Sequence, residues 1–412
     1  MKILIVNTHD IQGGAARAAY RLHKALLNNG IESEMLVQTK TSDDHSIIAP
    51  TTKMQKVFVK FRAFFDSIIL KFYKERNGTH FSPAWVPFSQ IEKKINKINP
   101  DIVHLHWINE GMFRIEDLRK IKAPIVWSLH DNWAFTGGCH VKWDCEKFKN
   151  SCGECPNLGS PNKYDLSRII FKRKEKVFSQ INNITIVGLS RWIKDMSEQS
   201  SLLKSKTHVN IPNLIDTHKF KPFDREKSRE LWELPKEKKL ILFGAMSATS
   251  DINKGYSKLL GALSKIKNRK YELVVFGSSV PKDYVDFGFQ THYMGNLSDD
   301  VSLMTLYNAA DLMIVPSLQE NLSNVIMESL SCGTPVVAFD IGGNSDMIEH
   351  KRNGYLAKAY DEIDLAKGID FILNNSDVNE IRFNARNKVI SEFSEEIVVN
   401  KYIKLYENIL HL

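Results

Sequence analysis

Between residues 311 and 339 two uninterrupted apolar runs, Leu312-Met313-Ile314-Val315 and Val336-Val337-Ala338, bracket a stretch of helical character that stops at Gly333. Runs without polar alternation suit strands covered on both faces, and two parallel strands need a crossover of a dozen or more residues, usually a helix. The chain is therefore expected to be an α/β protein with a parallel sheet. Pro316 closes the first run, and Gly333 suits the left-handed residue that ends many helices. Between them lie Glu320, in the loop beyond the first strand, and Glu328, inside the helix. Open α/β sheets bind ligands beyond the carboxyl ends of their strands, and helix N-termini attract phosphate. Two acids around the N–H groups of a helix start point to a ligand that is part sugar and part phosphate.

The same alternation recurs along the whole chain. Strand patterns at 2–7, 31–38, 101–105, 125–129 and 184–189 interleave with helix patterns at 15–29, 166–180 and 191–198, the last capped by Ser190, and 209–212 ends this half. Gly13-Gly14 forms the first strand-to-helix turn. The GxGxxG fingerprint of dinucleotide-binding turns is absent there, which argues against NAD. After a linker at 213–222, strands at 239–243, 272–276, 291–294, 312–315, 336–339 and 355–356 alternate with helices at 256–265, 301–309, 323–331, 345–350 and 361–374. A helical segment at 381–412 closes the chain. With 412 residues, two domains are the default. The expected architecture is two doubly wound domains facing across a cleft, with boundaries at 1–213 and 214–395 and a final helix at 396–412.

Fifty-six Lys and Arg against 48 Asp and Glu give a net charge of +8, which favours anionic partners such as nucleotides or acidic lipid. The first residues enter a strand directly, without a signal-peptide pattern, and no stretch of 18 apolar residues is present. Five cysteines without such a signal suit a reducing compartment, so a cytoplasmic location is expected. Residues 53–77 carry Phe58, Phe61, Phe64, Phe65 and Phe72 at helical spacing among Lys53, Lys56, Lys60, Lys71 and Lys74. Such a helix either packs its apolar stripe on its own domain or lies on an anionic membrane surface.

Cys139, Cys145, Cys152 and Cys155 follow a C-x5-C-x6-C-x2-C spacing inside an aperiodic loop at 131–162. Four thiolates suit tetrahedral zinc, and an iron–sulfur group is the other option, with His140 able to replace one sulfur. Either would be structural. Cys332 is expected to be a packed residue. Lys254-Gly255 opens a helix about ten residues after a strand, a position from which an ammonium meets phosphate.

Glu320 and Glu328 together with Ser331-Cys332-Gly333-Thr334-Pro335-Val336-Val337 resemble the EX7E motif and its following segment in the GT4 family of retaining glycosyltransferases. Gly13-Gly14, Ser190-Arg191-Trp192, Ile211-Pro212-Asn213, Lys254-Gly255 and Gly342-Gly343 fall in the same order as in that family. The motifs around His104-Leu105-His106-Trp107, His130-Asp131 and Gly137-Gly138-Cys139-His140 resemble the subgroup that builds exopolysaccharide, capsule, colanic acid and O-antigen. The resemblance implies the GT-B fold: two Rossmann-like domains, with the C-terminal helix returning to the first.

The resemblance also implies roles. Glu328 would hold the nucleotide ribose and Glu320 the donor sugar. Gly13, Gly14, Arg191, Lys254 and the backbone of Asn321, Leu322, Ser323, Asn324 and Val325 would hold the diphosphate. His130 would contact the sugar. The donor would be a UDP- or GDP-sugar, and the acceptor a glycan or lipid-linked saccharide at the inner membrane face, with no nucleic acid partner. Catalysis would be retaining and would need no metal. Two departures stand out: residues 246–253 hold no arginine, which the family usually places before its Lys-Gly pair, and Asn321-Leu322-Ser323 replaces the common Gly-Phe-Gly. A nucleotide-sugar-binding protein without transferase activity is the alternative.

Overall fold

The computed structural model describes residues 1–244, 251–267, 270–277, 288–297 and 299–411. The chain divides into two compact units, Met1–Asn213 with Val399–Leu412, and Leu214–Val398.

The first unit is built on a seven-stranded, all-parallel sheet. Its strands are β1 (Lys2–His9), β2 (Glu32–Thr39), β3 (Ile47–Ile48), β4 (Ile102–Leu105), β5 (Ile125–Leu129), β6 (Ile184–Gly188) and β7 (Thr207–Asn210), ordered β3-β2-β1-β4-β5-β6-β7. Strands β1, β4 and β5 are buried almost throughout, as their unbroken apolar sequences demand. Helices α1 (Gly14–Asn28), α2 (Lys53–Ser67), α3 (Ile91–Ile98), α4 (Leu166–Phe178) and α5 (Arg191–Gln199) belong to this unit. The chain order reverses between β1 and β4, so the loops after those strands diverge and leave a crevice at the sheet's carboxyl edge.

The second unit holds a six-stranded parallel sheet: β8 (Lys239–Gly244), β9 (Tyr271–Phe276), β10 (Thr291–Tyr293), β11 (Leu312–Val315), β12 (Val336–Phe339) and β13 (Gly354–Ala357), ordered β10-β9-β8-β11-β12-β13. Its helices are α6 (Arg225–Leu231), α7 (Tyr256–Leu263), α8 (Asp300–Ala309), α9 (Asn324–Ser331), α10 (Asn344–Met347), α11 (Glu362–Leu373) and α12 (Val378–Phe393). Here the reversal falls between β8 and β11, which are neighbours in register from Leu312 opposite Ile241.

The closing helical segment is two helices rather than one. Helix α12 ends at Phe393, and α13 (Glu395–Leu410) starts after Ser394. The break is held by β-type pairing of Ser394 with Ile215 and by the Glu395 N–H donating to the Ile215 carbonyl at 3.1 Å. Further along α13, Tyr402 and Tyr406 are buried in the first unit, bonded to Ser128 on β5 and His104 on β4. The helix read at 345–350 is a single turn, because Gly342-Gly343 and Asn344 form the turn into it.

The segment at 53–77 departs most from its sequence pattern. Only 53–67 is α-helix, followed by a 3-10 turn, Ile68–Phe72, and its aromatic stripe faces outward. The residues it buries are Arg62 and Asp66.

Candidate functional site

At the reversal point of the second unit, the loops after β8, β11 and β12 converge. Lys254 ends a 3-10 turn, Ile252–Lys254, and Gly255 follows with φ +67°. A Cβ on Gly255 would stand 1.9 Å from the Pro316 carbonyl oxygen, so only glycine lets this turn rest on the end of β11. Asn253 fastens the two loops. Its side-chain amide donates to the Gln319 carbonyl and its Oδ1 accepts from the Gln319 N–H, both at 2.9 Å, while its own carbonyl accepts from the Leu318 N–H. The result places the Lys254 ammonium 2.9 Å from Glu320 Oε1, which also accepts from Ser317 Oγ at 2.9 Å. The Glu320 charge pushes the Lys254 pKa up.

The third loop supports Glu320 from behind. Gly342 has φ +53°, and a Cβ there would lie 1.8 Å from the Glu320 carbonyl oxygen; the Gly343 N–H donates to that same oxygen at 3.2 Å. Three strand-end loops thus fix one carboxylate beside one ammonium.

Helix α9 begins four residues beyond Glu320. Ser323 is its N-cap, with extended backbone and no side-chain capping bond. Glu328, one turn in, is 2% exposed and accepts from the Tyr307 hydroxyl of α8 at 2.9 Å. That bond orients the carboxylate at the start of the helix. Leu322 and Ser323 are buried, whereas Asn321, Asn324 and Val325 are partly exposed. Cys332 is fully buried, its thiol 4.0 Å from the Met304 carbonyl, which matches a packing role.

The N-terminal unit has its own cluster at the carboxyl edge of β1, β4 and β5. Gly13, at φ +89°, turns the chain from β1 into α1, which starts at Gly14. His104 is locked between Tyr406 Oη (2.7 Å) and Ser128 Oγ (2.8 Å). His106 Nδ1 lies 2.8 Å from His130 Nε2, and Trp127 donates to the His106 carbonyl. Burial pulls the His130 pKa down to about 4 and that of His104 to about 3. Both are neutral at pH 7, so His130 is set up to donate or accept a hydrogen bond rather than to carry charge. Asp131 accepts from Trp107 Nε1 at 2.8 Å and lies 2.6 Å from His140 Nδ1. Arg191 stands exposed in the first turn of α5, behind the Ser190 cap.

The structure therefore brings Lys254 and Glu320 together and places Glu328 one turn into the adjoining helix. Gly13, Gly14, His130 and Arg191 all lie on loops or helix starts beyond the strands of the other unit. Residues 245–250, most of the stretch that lacks an arginine, lie outside the described residues. Asn253, Ser317 and Tyr307 escaped the sequence reading because their partners are 66, 3 and 21 residues away and share no motif spacing.

The four loop cysteines all line one small cavity of about 10 Å³, the size of a single water or ion. Cys139 and Cys155 sulfurs are 3.9 Å apart, and the Gly137 N–H points at Cys152 Sγ at 3.2 Å. His140 is no substitute ligand here, since Asp131 and Ser82 take both of its nitrogens. Among the described residues, no three His, Cys, Asp or Glu side chains are already gathered as a metal-holding group.

Two parallel-sheet Rossmann-like units, the second carrying a Lys–Glu pair and a buried acid at its reversal point, define an α/β protein of the GT-B fold. Residues 12–219 match the glycosyltransferase family 4 model and residues 224–389 the glycosyl transferases group 1 model. The chain belongs to glycosyltransferase family 4. It is 30% identical to an uncharacterised glycosyltransferase of Methanocaldococcus jannaschii over 81% of this chain and 90% of the relative. It is 21% identical to WcaC of Escherichia coli K12, named as a colanic acid biosynthesis glycosyl transferase, over 99% of this chain and all of WcaC. Among solved structures, Anabaena HepE in complex with UDP and glucose shares the fold with a TM-score of 0.67 at 16% identity, covering 98% of this chain and 99% of HepE.

Proposed function

We propose that the protein transfers a sugar, with retention of anomeric configuration, from a nucleoside-diphosphate sugar to a glycan or lipid-linked acceptor in surface-glycan assembly. The observation that carries this reading is the Lys254–Glu320 pair at the reversal point of a parallel sheet, beside the start of α9. Glu320 neutralises Lys254. A diphosphate offers the ammonium a second anion, and Glu320 is then free to accept hydroxyls of the sugar. Glu328, held by Tyr307, suits the two ribose hydroxyls. The UDP and glucose of the HepE complex support UDP as the first donor to try, and the name of WcaC supports an exopolysaccharide role.

In the transfer, the bond from the anomeric carbon to the diphosphate oxygen breaks as the acceptor oxygen bonds on the same face. The acceptor proton passes to the departing diphosphate. Lys254 and the N–H groups at the start of α9 stabilise the charge that develops there, without a catalytic metal. His130, neutral, is read as a contact of the donor sugar, and Gly13, Gly14 and Arg191 as phosphate contacts. The acceptor places the enzyme at the inner membrane face.

For the cysteine loop, the reading is a structural zinc or iron–sulfur group. A ZnS4 tetrahedron with Zn–S of about 2.3 Å has edges of about 3.8 Å, close to the Cys139–Cys155 separation. An ion would draw Cys145 and Cys152 inward around the cavity they already line. Metal analysis of freshly purified protein tests this, and less than about half an equivalent of zinc or iron rejects it.

Incubation with UDP-, GDP- and ADP-sugars, with and without a crude lipid-linked acceptor fraction, tests the main reading. Release of free nucleotide from one donor is expected. Thermal stabilisation by a nucleotide sugar with no turnover under either condition would instead support the binding-protein alternative.

A further inference from the structure

Helix α2 is built with its charges inside and its phenylalanines outside. Arg62 is 4% exposed and Asp66 2%, whereas Phe61 is 55% exposed and Phe72, just beyond, 83%. The inward charges fix this orientation. Arg62 Nε donates to the Gly111 carbonyl at 2.7 Å, and its two terminal nitrogens donate to the carbonyls of Val86 and Pro87. Asp66 accepts from the Trp85 N–H at 3.1 Å. Gly111, at φ +72°, lies so close that a Cβ would stand 2.7 Å from the Arg62 carbonyl oxygen. Rolling the helix over to bury the aromatics would strip both charges of these partners, at a cost exceeding the gain.

The exposed side is therefore a permanent feature of this unit. Phe58, Phe61, Phe65, Ile68, Trp85 and Phe88 line a groove of about 620 Å³. Phe88 is held outward by a left-handed backbone, φ +62°, which an aromatic residue rarely adopts, and it is 79% exposed. Burying a phenylalanine is favourable, so an exposed patch of five or more is out of place in contact with water.

Charge decides the occupant. Lys53, Lys56, Lys60, Lys71 and Lys74 are all exposed; the first three recur every three or four residues along the α-helix and the last two follow in and after the 3-10 turn. Lys71 Nζ lies 5.1 Å from the Phe64 ring centre. Within residues 53–76 the acids are Asp66, which is buried, and Glu75. An apolar face bordered by flexible cations matches an anionic interface whose interior is hydrocarbon.

We propose that α2 and the 85–88 loop dock this protein on an anionic phospholipid bilayer, with the phenylalanines in the acyl boundary and the lysines at the headgroup phosphates. The proposal does not depend on the transfer reading, because lipid binding is measured with no donor or acceptor present.

The test is co-flotation of the full chain with phosphatidylcholine vesicles with or without phosphatidylglycerol. Binding is expected to the anionic vesicles, falling steeply with salt. Two exposed-site double variants, Phe61→Ser with Phe65→Ser and Lys56→Glu with Lys60→Glu, should each lower the partition constant roughly tenfold or more while leaving the melting temperature nearly unchanged. Brominated lipid should quench Trp85 fluorescence, with that component lost in Trp85→Phe. The proposal is overturned by absence of flotation with anionic vesicles, or by salt-insensitive binding that the variants do not alter. It is equally overturned if the lipid-free protein is a dimer that the phenylalanine variant converts to monomer, since a second copy would then cover the patch.

Discussion

Lys254 Nζ and Glu320 Oε1 are 2.9 Å apart although 66 residues separate them in the chain, and each is fixed by a different strand-end loop. A charge pair at a binding site competes with the ligand it serves. Lys254→Ala should therefore weaken donor binding and lower kcat/KM by roughly 10²–10³-fold, the usual loss when one charge-stabilising donor is removed. Glu320→Gln should behave differently. It removes the internal competitor, so UDP binding stays equal or tightens while transfer falls at least about tenfold. Calorimetric titration with UDP beside donor-turnover rates separates these outcomes, and parallel losses of UDP affinity in both variants would refute the exchange.

Glu328 and Tyr307 form the second fixed relationship. If the carboxylate takes the ribose hydroxyls, Glu328→Ala should weaken UDP roughly tenfold or more but leave pyrophosphate binding unchanged. Tyr307→Phe removes only the hydroxyl that orients the acid, a loss of about 0.5–1.5 kcal/mol. Equal losses for UDP and pyrophosphate would assign Glu328 to packing instead.

The two glycines that hold these loops offer a steric contrast. Gly342→Ala places a Cβ 1.8 Å from the Glu320 carbonyl, so the loop must move and carry the carboxylate with it. A loss of most activity and a clear fall in melting temperature are expected. Gly13→Ala meets no atom within 4 Å and faces only the strain of φ +89°, about 1–2 kcal/mol. If Gly342→Ala retained full activity, the view that this loop positions Glu320 would fail.

How much of this was legible beforehand differs by residue. Strands β11 and β12 were read at their observed limits, because unbroken apolar runs ended by Pro316 and bounded by Gly333 leave little freedom. The EX7E likeness pointed to Glu320 and Glu328 but not to Asn253 or Tyr307. Those two act through the adjacency of β8 and β11 and of α8 and α9, which only the folded topology supplies. Helix α2 was legible in existence but not in facing. An aromatic stripe ordinarily marks the core side, and the contrary signal was the opposed charges of Arg62 and Asp66 four residues apart, which need partners deep in the fold. The split between α12 and α13 had a local sign in Ser394 followed by Glu395 and Glu396, a common N-terminal pattern.

The histidines of the first unit predict how stability responds to acid. Burial lowers the pKa of His104 to about 3, of His23 and His130 to about 4, and that of His106 well below the ordinary 6.5. In the unfolded chain all four take up protons as pH falls through about 6.5, while in the folded protein they remain neutral until pH is much lower. The unfolded state thus binds more protons, and the stability present above pH 6.5 is lost progressively toward pH 4, by up to about 1.4 kcal/mol per pH unit for each group. Asp66 opposes this: burial raises its pKa to about 6, so the folded state takes up one proton through pH 6 that the unfolded chain binds only near 3.8. His80, pulled down to about 4 by the neighbouring His140 and by burial, adds to the four, and together they outweigh Asp66 and leave a net loss on acidification. Melting temperatures measured from pH 7.5 to 5 should fall steadily below about 6.5, and His130→Gln should flatten that slope by close to one proton. A melting temperature that stays constant over the range would mean that these histidines are protonated in the fold, contrary to the burial of His104, His106 and His130 among Tyr406, Ser128 and one another and of His23 between Ser33 and Ser46.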